Sequence, residues 1–357
     1  MDQSFWNGKR VLVTGHTGFK GGWISVWLAR LGANVTGFAL PPPTEPSLYE
    51  AAKIGRCVDT ILGDLRKIEA VNAAVARCRP DIVFHMAAQP LVRRSYRDPV
   101  ETYATNVMGT VHVLEAVRRF GGARVIVNIT SDKCYENREM LWGYRETDPM
   151  GGFDPYSSSK GCAELVAAAY RQSYFDGDHT RLVSVRAGNV IGGGDWAEDR
   201  LIPDCMRALS SRETIIVRRP HSVRPWQHVL EPLAGYLSYA QALYEGKALP
   251  PALNFGPWEA DIQPVGEVVN TIVELWGDGA RWQVQTDGGP HEAGLLTLDS
   301  TLARHTLGWR PNLRLGDALA FTVEWYRRFH AGEPMDAVTA QQIERYEIVS
   351  TKVNYNG

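Results

Sequence analysis

Cysteine is scarce in this 357-residue chain, and Cys57, Cys78, Cys134, Cys162 and Cys205 are odd in number and far apart. They form neither a disulfide framework nor a CxxC metal site, so plain thiols are expected and no metal is anticipated. A surplus of one charge is also lacking. Lys and Arg number 38 against 40 Asp and Glu, a formal net charge of -2, which leaves no basic excess to hold nucleic acid or an anionic membrane. No segment approaches the roughly 18 uninterrupted apolar residues of a membrane helix. The opening stretch from Met1 to Arg10 has no basic run leading into an apolar one, so a cytoplasmic protein is expected. Internal repeats and low-complexity tracts are absent. What remains is ordinary globular composition, 44% hydrophobic and 22% charged residues, in a chain longer than one core usually serves.

Apolar runs rich in β-branched residues alternate with helix-period stretches through the first half: Arg10–Thr14, Asn34–Ala39, Val58–Leu62, Asp81–Ala87, Arg124–Thr130 and Leu182–Ala187. Runs that are continuously apolar suit parallel strands covered by helices on both faces. The expected class is therefore α/β, a Rossmann-type doubly wound parallel sheet. After Gly188 prolines and glycines punctuate the pattern, with helices expected near Leu201–Ser210, Glu231–Tyr244 and Gly266–Trp276, which predicts a smaller, loop-rich C-terminal lobe. We place the dinucleotide-binding domain at 1–187 with a returning segment near 228–256, and the substrate lobe at 188–227 and 257–357. The stretch Pro41–Pro46 reads as a stiff extended loop and not as a linker.

The most informative stretch is Val11-Leu12-Val13-Thr14-Gly15-His16-Thr17-Gly18-Phe19-Lys20-Gly21, a GxxGxxG spacing between a strand and a helix beginning near Gly21. Glycines are needed where the turn requires angles closed to other residues and where a Cβ would hold a diphosphate away from the amides at the positive helix end. Gly15, Thr17, Gly18, Phe19, Lys20 and Gly21 are thus candidate cofactor contacts. An acidic residue about twenty positions on would normally hold a ribose 2′-hydroxyl, but the second strand ends Phe38-Ala39-Leu40-Pro41. No arginine stands there to pair with a 2′-phosphate either, which favours NAD over NADP. Asp64-Leu65, after the third strand, could accept from the adenine amine or cap the next helix.

Tyr156-Ser157-Ser158-Ser159-Lys160 opens a helical run after Asp154-Pro155, and a spacing of four puts tyrosine and lysine on one face. A free phenol, with a pKa of about 10, is a poor base at neutral pH. An adjacent ammonium and a positive nicotinamide ring would stabilise the phenolate, letting Tyr156 take a hydroxyl proton while hydride leaves the same carbon.

With these motifs the sequence resembles the extended short-chain dehydrogenase/reductases that act on nucleotide sugars. Further matches are His85-Met86-Ala87-Ala88-Gln89, Asn106-Val107-Met108-Gly109-Thr110, Thr130-Ser131-Asp132, Arg186-Ala187-Gly188-Asn189-Val190 and Asp299 with Leu307-Gly308-Trp309-Arg310-Pro311. The resemblance implies that Ser131 hydrogen-bonds the sugar 4-hydroxyl, that Ala87 and Ala88 line the nicotinamide pocket, and that Gln89 and Asn106 belong to the cofactor site. His85 reads better as packing. It also implies a homodimer through helices at Val100–Phe120 and Tyr156–Phe175, with a tetramer as a further option.

Reaction type must come from the residues after Ser131. A 4-epimerase needs no extra acid, whereas a 4,6-dehydratase needs a base for the C5 proton and an acid for the leaving C6 hydroxyl. In hexose-nucleotide dehydratases these are Asp then Glu; here they are Asp132 and Lys133. Asp132 points to dehydration. Lys133 is either the C5 base, its pKa lowered by burial and charge, or an ion-pair residue. A non-catalytic cofactor-sensing regulator would lack the Tyr156–Lys160 pair. For a substrate diphosphate the second lobe supplies Arg200, Arg218, Arg219 and Arg224, forked donors suited to an anion. The resemblance favours Asn189 and Arg224, supported by Arg200 or Arg218. Trp196, Trp226 and Trp258 could stack a base or serve as core.

Overall fold

All six apolar runs become strands in the computed structural model, which describes residues 1–175, 179–285 and 294–354. They are β1 (Arg10–Thr14), β2 (Asn34–Ala39), β3 (Asp59–Leu62), β4 (Ile82–His85), β5 (Val125–Ile129) and β6 (Arg181–Ala187). A seventh, β7 (Ala252–Phe255), joins from the second half, and the order across the sheet is β7-β6-β5-β4-β1-β2-β3. Every neighbouring pair is parallel. This is the Rossmann-type doubly wound sheet.

Both faces are dry. Leu12, Val83 and Ile126 pack under the helices Ile68–Cys78 and Gly109–Phe120. Val11, Val13, Phe84, Val125 and Val127 join a larger core that also takes in the helices Phe19–Arg30 and Leu230–Tyr244. The winding reverses between β1 and β4, whose last residues Thr14 and His85 lie side by side, and the carboxyl ends of strands at such a reversal open a crevice. β4 stops at His85 and not Ala87 because Thr14 Oγ1 accepts from the amides of Met86 and Ala87 at 3.0 and 3.1 Å, taking them out of the ladder.

The stretch after β6 is loop-rich. It holds helices Leu201–Ser210 and Val265–Trp276 and, among the described residues, three two-stranded pairings, one of them Val190–Ile191 with Gln227–His228. The C-terminal helix Met335–Asn354 packs on the helix Phe19–Arg30, where Trp27 Nε1 donates to Glu347 Oε1 at 2.9 Å, while Trp23 Nε1 of the same helix donates to Gly193 O at 2.9 Å. The stretch Pro41–Pro46 bends repeatedly instead of running extended.

Candidate active site

The glycine turn is tight for reasons visible atom by atom. Gly15 has φ +80°, and a Cβ there would lie 2.8 Å from the Ala87 backbone; one on Gly21 would lie 2.1 Å from Gly15 O. Gly18 caps the helix Phe19–Arg30 with no side chain on its first amides, and Phe19 and Lys20 line the crevice, a ready anion site. Thr17 Oγ1 donates to Leu40 O at 2.9 Å and ties the turn to β2. Gly21→Ala is therefore expected to destabilise the protein by about 1–3 kcal/mol through overpacking, read from denaturant unfolding; an unchanged midpoint would contradict the packing.

A cavity of about 350 Å3 opens beside this turn. Of the residues anticipated above, Phe19, Lys20, Ala88, Ser131, Asp132, Lys133, Tyr156, Lys160, Asn189, Arg200, Arg218, Arg219 and Arg224 line it. The helix carrying Tyr156 and Lys160, Pro155–Tyr174, starts where it does because Asp154 accepts from Ser157 N at 2.9 Å and Pro155 occupies the first turn, a favoured N-terminal pairing. Ser131 lies two residues beyond β5 and caps a one-turn 3-10 helix, Asp132–Cys134. Its Oγ donates to Asp132 Oδ1 at 2.8 Å and accepts from Lys133 N at 3.2 Å.

Electrostatics differentiate these groups. Burial pushes the Tyr156 phenol up to about 12, against the tempering Ser131 hydroxyl. Burial pulls the Lys160 ammonium, which donates to Ile129 O at 3.3 Å, down to about 8. Burial raises Asp132, with the charge of Lys133 pulling the other way, and Asp132 Oδ2 is buried without a hydrogen-bond partner among the described residues. Lys20, whose Nζ is 3.4 Å from Tyr236 OH, is pulled down to about 7 by burial and by the charge of Lys160.

Other anticipated residues stand behind the cavity wall. Asn106 Oδ1 accepts from Gln89 N at 2.7 Å, and its Nδ2 donates to Gln89 O at 3.0 Å and to Ser159 Oγ at 2.8 Å. It braces the strand-end loop against the helix Pro155–Tyr174. Gln89 spends its side chain on Leu91 and Thr102. His85 is packing, as anticipated, with both ring nitrogens on Thr14 and Thr110 hydroxyls. Asp64 does not cap the next helix, which starts at Ile68; it is held by Arg66 at 2.7 Å. Leu65 is buried, and its carbonyl meets His112 Nδ1 at 2.7 Å. Among the tryptophans Trp226 reaches the cavity, while Trp196 packs on Trp325 and Phe329 and Trp258 lies under Arg304.

Residues 11–254 match the pattern of the NAD dependent epimerase/dehydratase family. The chain belongs to this family. Over 99% of its length it is 52% identical to the CDP-glucose 4,6-dehydratase of Salmonella typhimurium, and it covers 100% of that protein. The UDP-glucose 4-epimerase of Thermus thermophilus, solved in complex with NAD, is 27% identical with a TM-score of 0.76, covering 89% of this chain and 99% of that one. An epimerase of Methanothermobacter thermautotrophicus has a TM-score of 0.80 at 23% identity, over 93% of this chain and 96% of the other, a likeness of fold. Arg93 and Asp199, which no motif pointed to, also line the cavity. Asp199 Oδ1 lies 3.0 Å from Arg218 Nη1 and 3.9 Å from Arg93 Nε. Arg93 stands on the short helix Val92–Arg97, five residues beyond Ala88, and that nearness in sequence was its only early signal.

Proposed function

We propose that this chain is a CDP-glucose 4,6-dehydratase, a hydro-lyase converting CDP-D-glucose to CDP-4-dehydro-6-deoxy-D-glucose and water. The full-length 52% identity to the Salmonella enzyme carries the reading. It agrees with Ser131-Asp132-Lys133-Cys134-Tyr135, Gly18-Phe19-Lys20-Gly21-Gly22-Trp23 and Arg224-Pro225-Trp226-Gln227-His228-Val229, motifs that resemble this enzyme more closely than the family at large. The glycine turn fits a dinucleotide: Cβ atoms on Gly15 and Gly21 would strike the backbone that shapes the turn, and the helix N-terminus it leads into suits a diphosphate. NAD would be held by the turn from Gly15 to Gly21 and by Ala87 and Ala88. The nucleotide sugar would lie against Asn189, Arg200, Arg218 and Arg224.

Bound NAD supplies the hydride acceptor at C4 and the donor at C6, and is restored within one turnover. The chain's own groups move the protons. Tyr156 takes the C4 hydroxyl proton while Ser131 holds that oxygen, and the Lys160 charge favours the phenolate. With C4 a ketone, the C5 proton is acidic; Lys133 removes it, and Asp132, whose carboxyl is shifted by burial towards its protonated form, protonates the departing C6 hydroxyl as water. Lys133 then returns its proton to C5 as C6 is reduced. An epimerase has no such use for an Asp132 aimed into the cavity.

The place in biosynthesis is an early step towards dideoxy sugars of bacterial lipopolysaccharide, in the cytoplasm. A homodimer through the helices spanning 99–120 and 155–174 is supported by the exposed Val100, Tyr103, Met108 and Leu165. With CDP-, dTDP-, UDP- and GDP-glucose offered separately, only CDP-glucose is expected to yield a 4-keto-6-deoxy product at high rate, by mass spectrometry. Preference for another base would contradict the assignment of the nucleotide.

A further inference from the structure

Behind the cavity, Glu164 and Arg186 form an ion pair that the chemistry above does not use. Each side chain is 5% exposed. Glu164 lies one turn beyond Lys160 on the catalytic helix, and Arg186 is on β6, just before the cavity residues Gly188 and Asn189. Arg186 Nε and Nη2 donate to Glu164 Oε1 and Oε2 at 2.9 Å each. The pair then reaches outward twice. Thr130 Oγ1 donates to Glu164 Oε1 at 2.5 Å, and Arg186 Nη1 donates to Tyr135 OH at 2.7 Å and to Glu146 O at 3.0 Å. Tyr135 OH in turn donates to Asn254 Oδ1 at 2.8 Å, anchoring the set to β7.

Thr130 and Tyr135 bracket Ser131-Asp132-Lys133-Cys134. We propose that the Glu164–Arg186 pair is a positioning device that clamps both ends of this segment and so sets Asp132 and Lys133 against the C5 and C6 of the sugar. The inference rests on the dehydratase reading. A one-turn 3-10 helix has few hydrogen bonds of its own, so its aim depends on its anchors. Burying an ion pair is weak as a stability device, since desolvation offsets the attraction, whereas a 1 Å misplacement at a reacting centre can cost about 10²-fold in rate. One rigid unit also links the acid segment to the helix bearing Tyr156 and Lys160. Burial would raise Glu164, yet the Arg186 hydrogen bonds hold it low, so the pair stays charged.

Tyr135→Phe removes a single hydroxyl while leaving the ring stacked on Tyr144, 5.3 Å between centroids. Given CDP-glucose, the variant is expected to lose tenfold or more in kcat for 6-deoxy product with little change in KM, while C4 oxidation continues. A 4-keto nucleotide with its C6 hydroxyl intact then accumulates, trapped by borodeuteride quench as 4-labelled glucose and galactose nucleotides that the wild type does not give. Thr130→Val cuts the other anchor and should give the same partition, so the test survives if one variant fails to fold, as thermal melting will show. Wild-type rates without the trapped species, or an equal fall in C4 oxidation and elimination, would overturn the clamp alone. A wild-type enzyme that forms no 6-deoxy product from CDP-glucose would overturn the dehydratase reading, and the clamp's role with it.

Discussion

Tyr156→Phe is expected to lower turnover of CDP-glucose by about 10²- to 10⁴-fold, the usual worth of a positioned acid or base, with nucleotide-sugar affinity, measured by calorimetry, nearly unchanged. The ring stays buried in the same cavity wall, and only the hydroxyl proposed to take the C4 proton is lost. The sign of the pH dependence follows from the surroundings. Burial raises the phenol to about 12 and lowers Lys160 to about 8, so C4 oxidation should speed up with rising pH while Lys160 still carries its charge. Unchanged turnover in the variant would remove Tyr156 from the chemistry.

Asp132→Asn is expected to have a comparable effect, about 10²- to 10⁴-fold on product formation, at a different step. Here C4 oxidation persists and elimination stops, because asparagine cannot deliver a proton to the leaving hydroxyl. An acid must be protonated to act, and burial raises Asp132. Elimination in the wild type should therefore survive above the ordinary carboxylate range and fall as pH rises through the raised pKa; in Asp132→Asn that falling limb disappears. Retained elimination would leave the protonation to some other group. Lys133→Met separates the partner role in the same assay, since it too should stop elimination and spare C4 oxidation.

The residues that could be read in advance are those whose chemistry is local in sequence. The glycine turn, the Tyr156–Lys160 pair and Ser131-Asp132-Lys133 each fit within one or two turns of chain, so spacing alone brings their side chains together. Six strands were legible for the same reason, being long apolar runs. β7 was not resolved as a strand in advance: Ala252–Phe255 is a four-residue stretch between Pro250-Pro251 and Gly256-Pro257, and only its register with β6 makes it part of the sheet. Arg93 and Asp199 meet across the cavity from distant segments, which no spacing reveals. The clamp joins Thr130, Tyr135, Glu164 and Arg186 through neighbouring strands and a crossover helix. Asn106 and Gln89 were anticipated as cofactor residues, while their side chains brace the loop and the catalytic helix.

CDP-glucose deuterated at C4 shows most directly whether one cavity oxidises C4, eliminates water and reduces C6 without exchanging its cofactor. With purified protein and no added reductant, the expected product is a 4-keto-6-deoxy nucleotide sugar carrying the deuterium at C6. Deuterium released to free reduced cofactor, or returned to C4 of a galactose nucleotide, would contradict it.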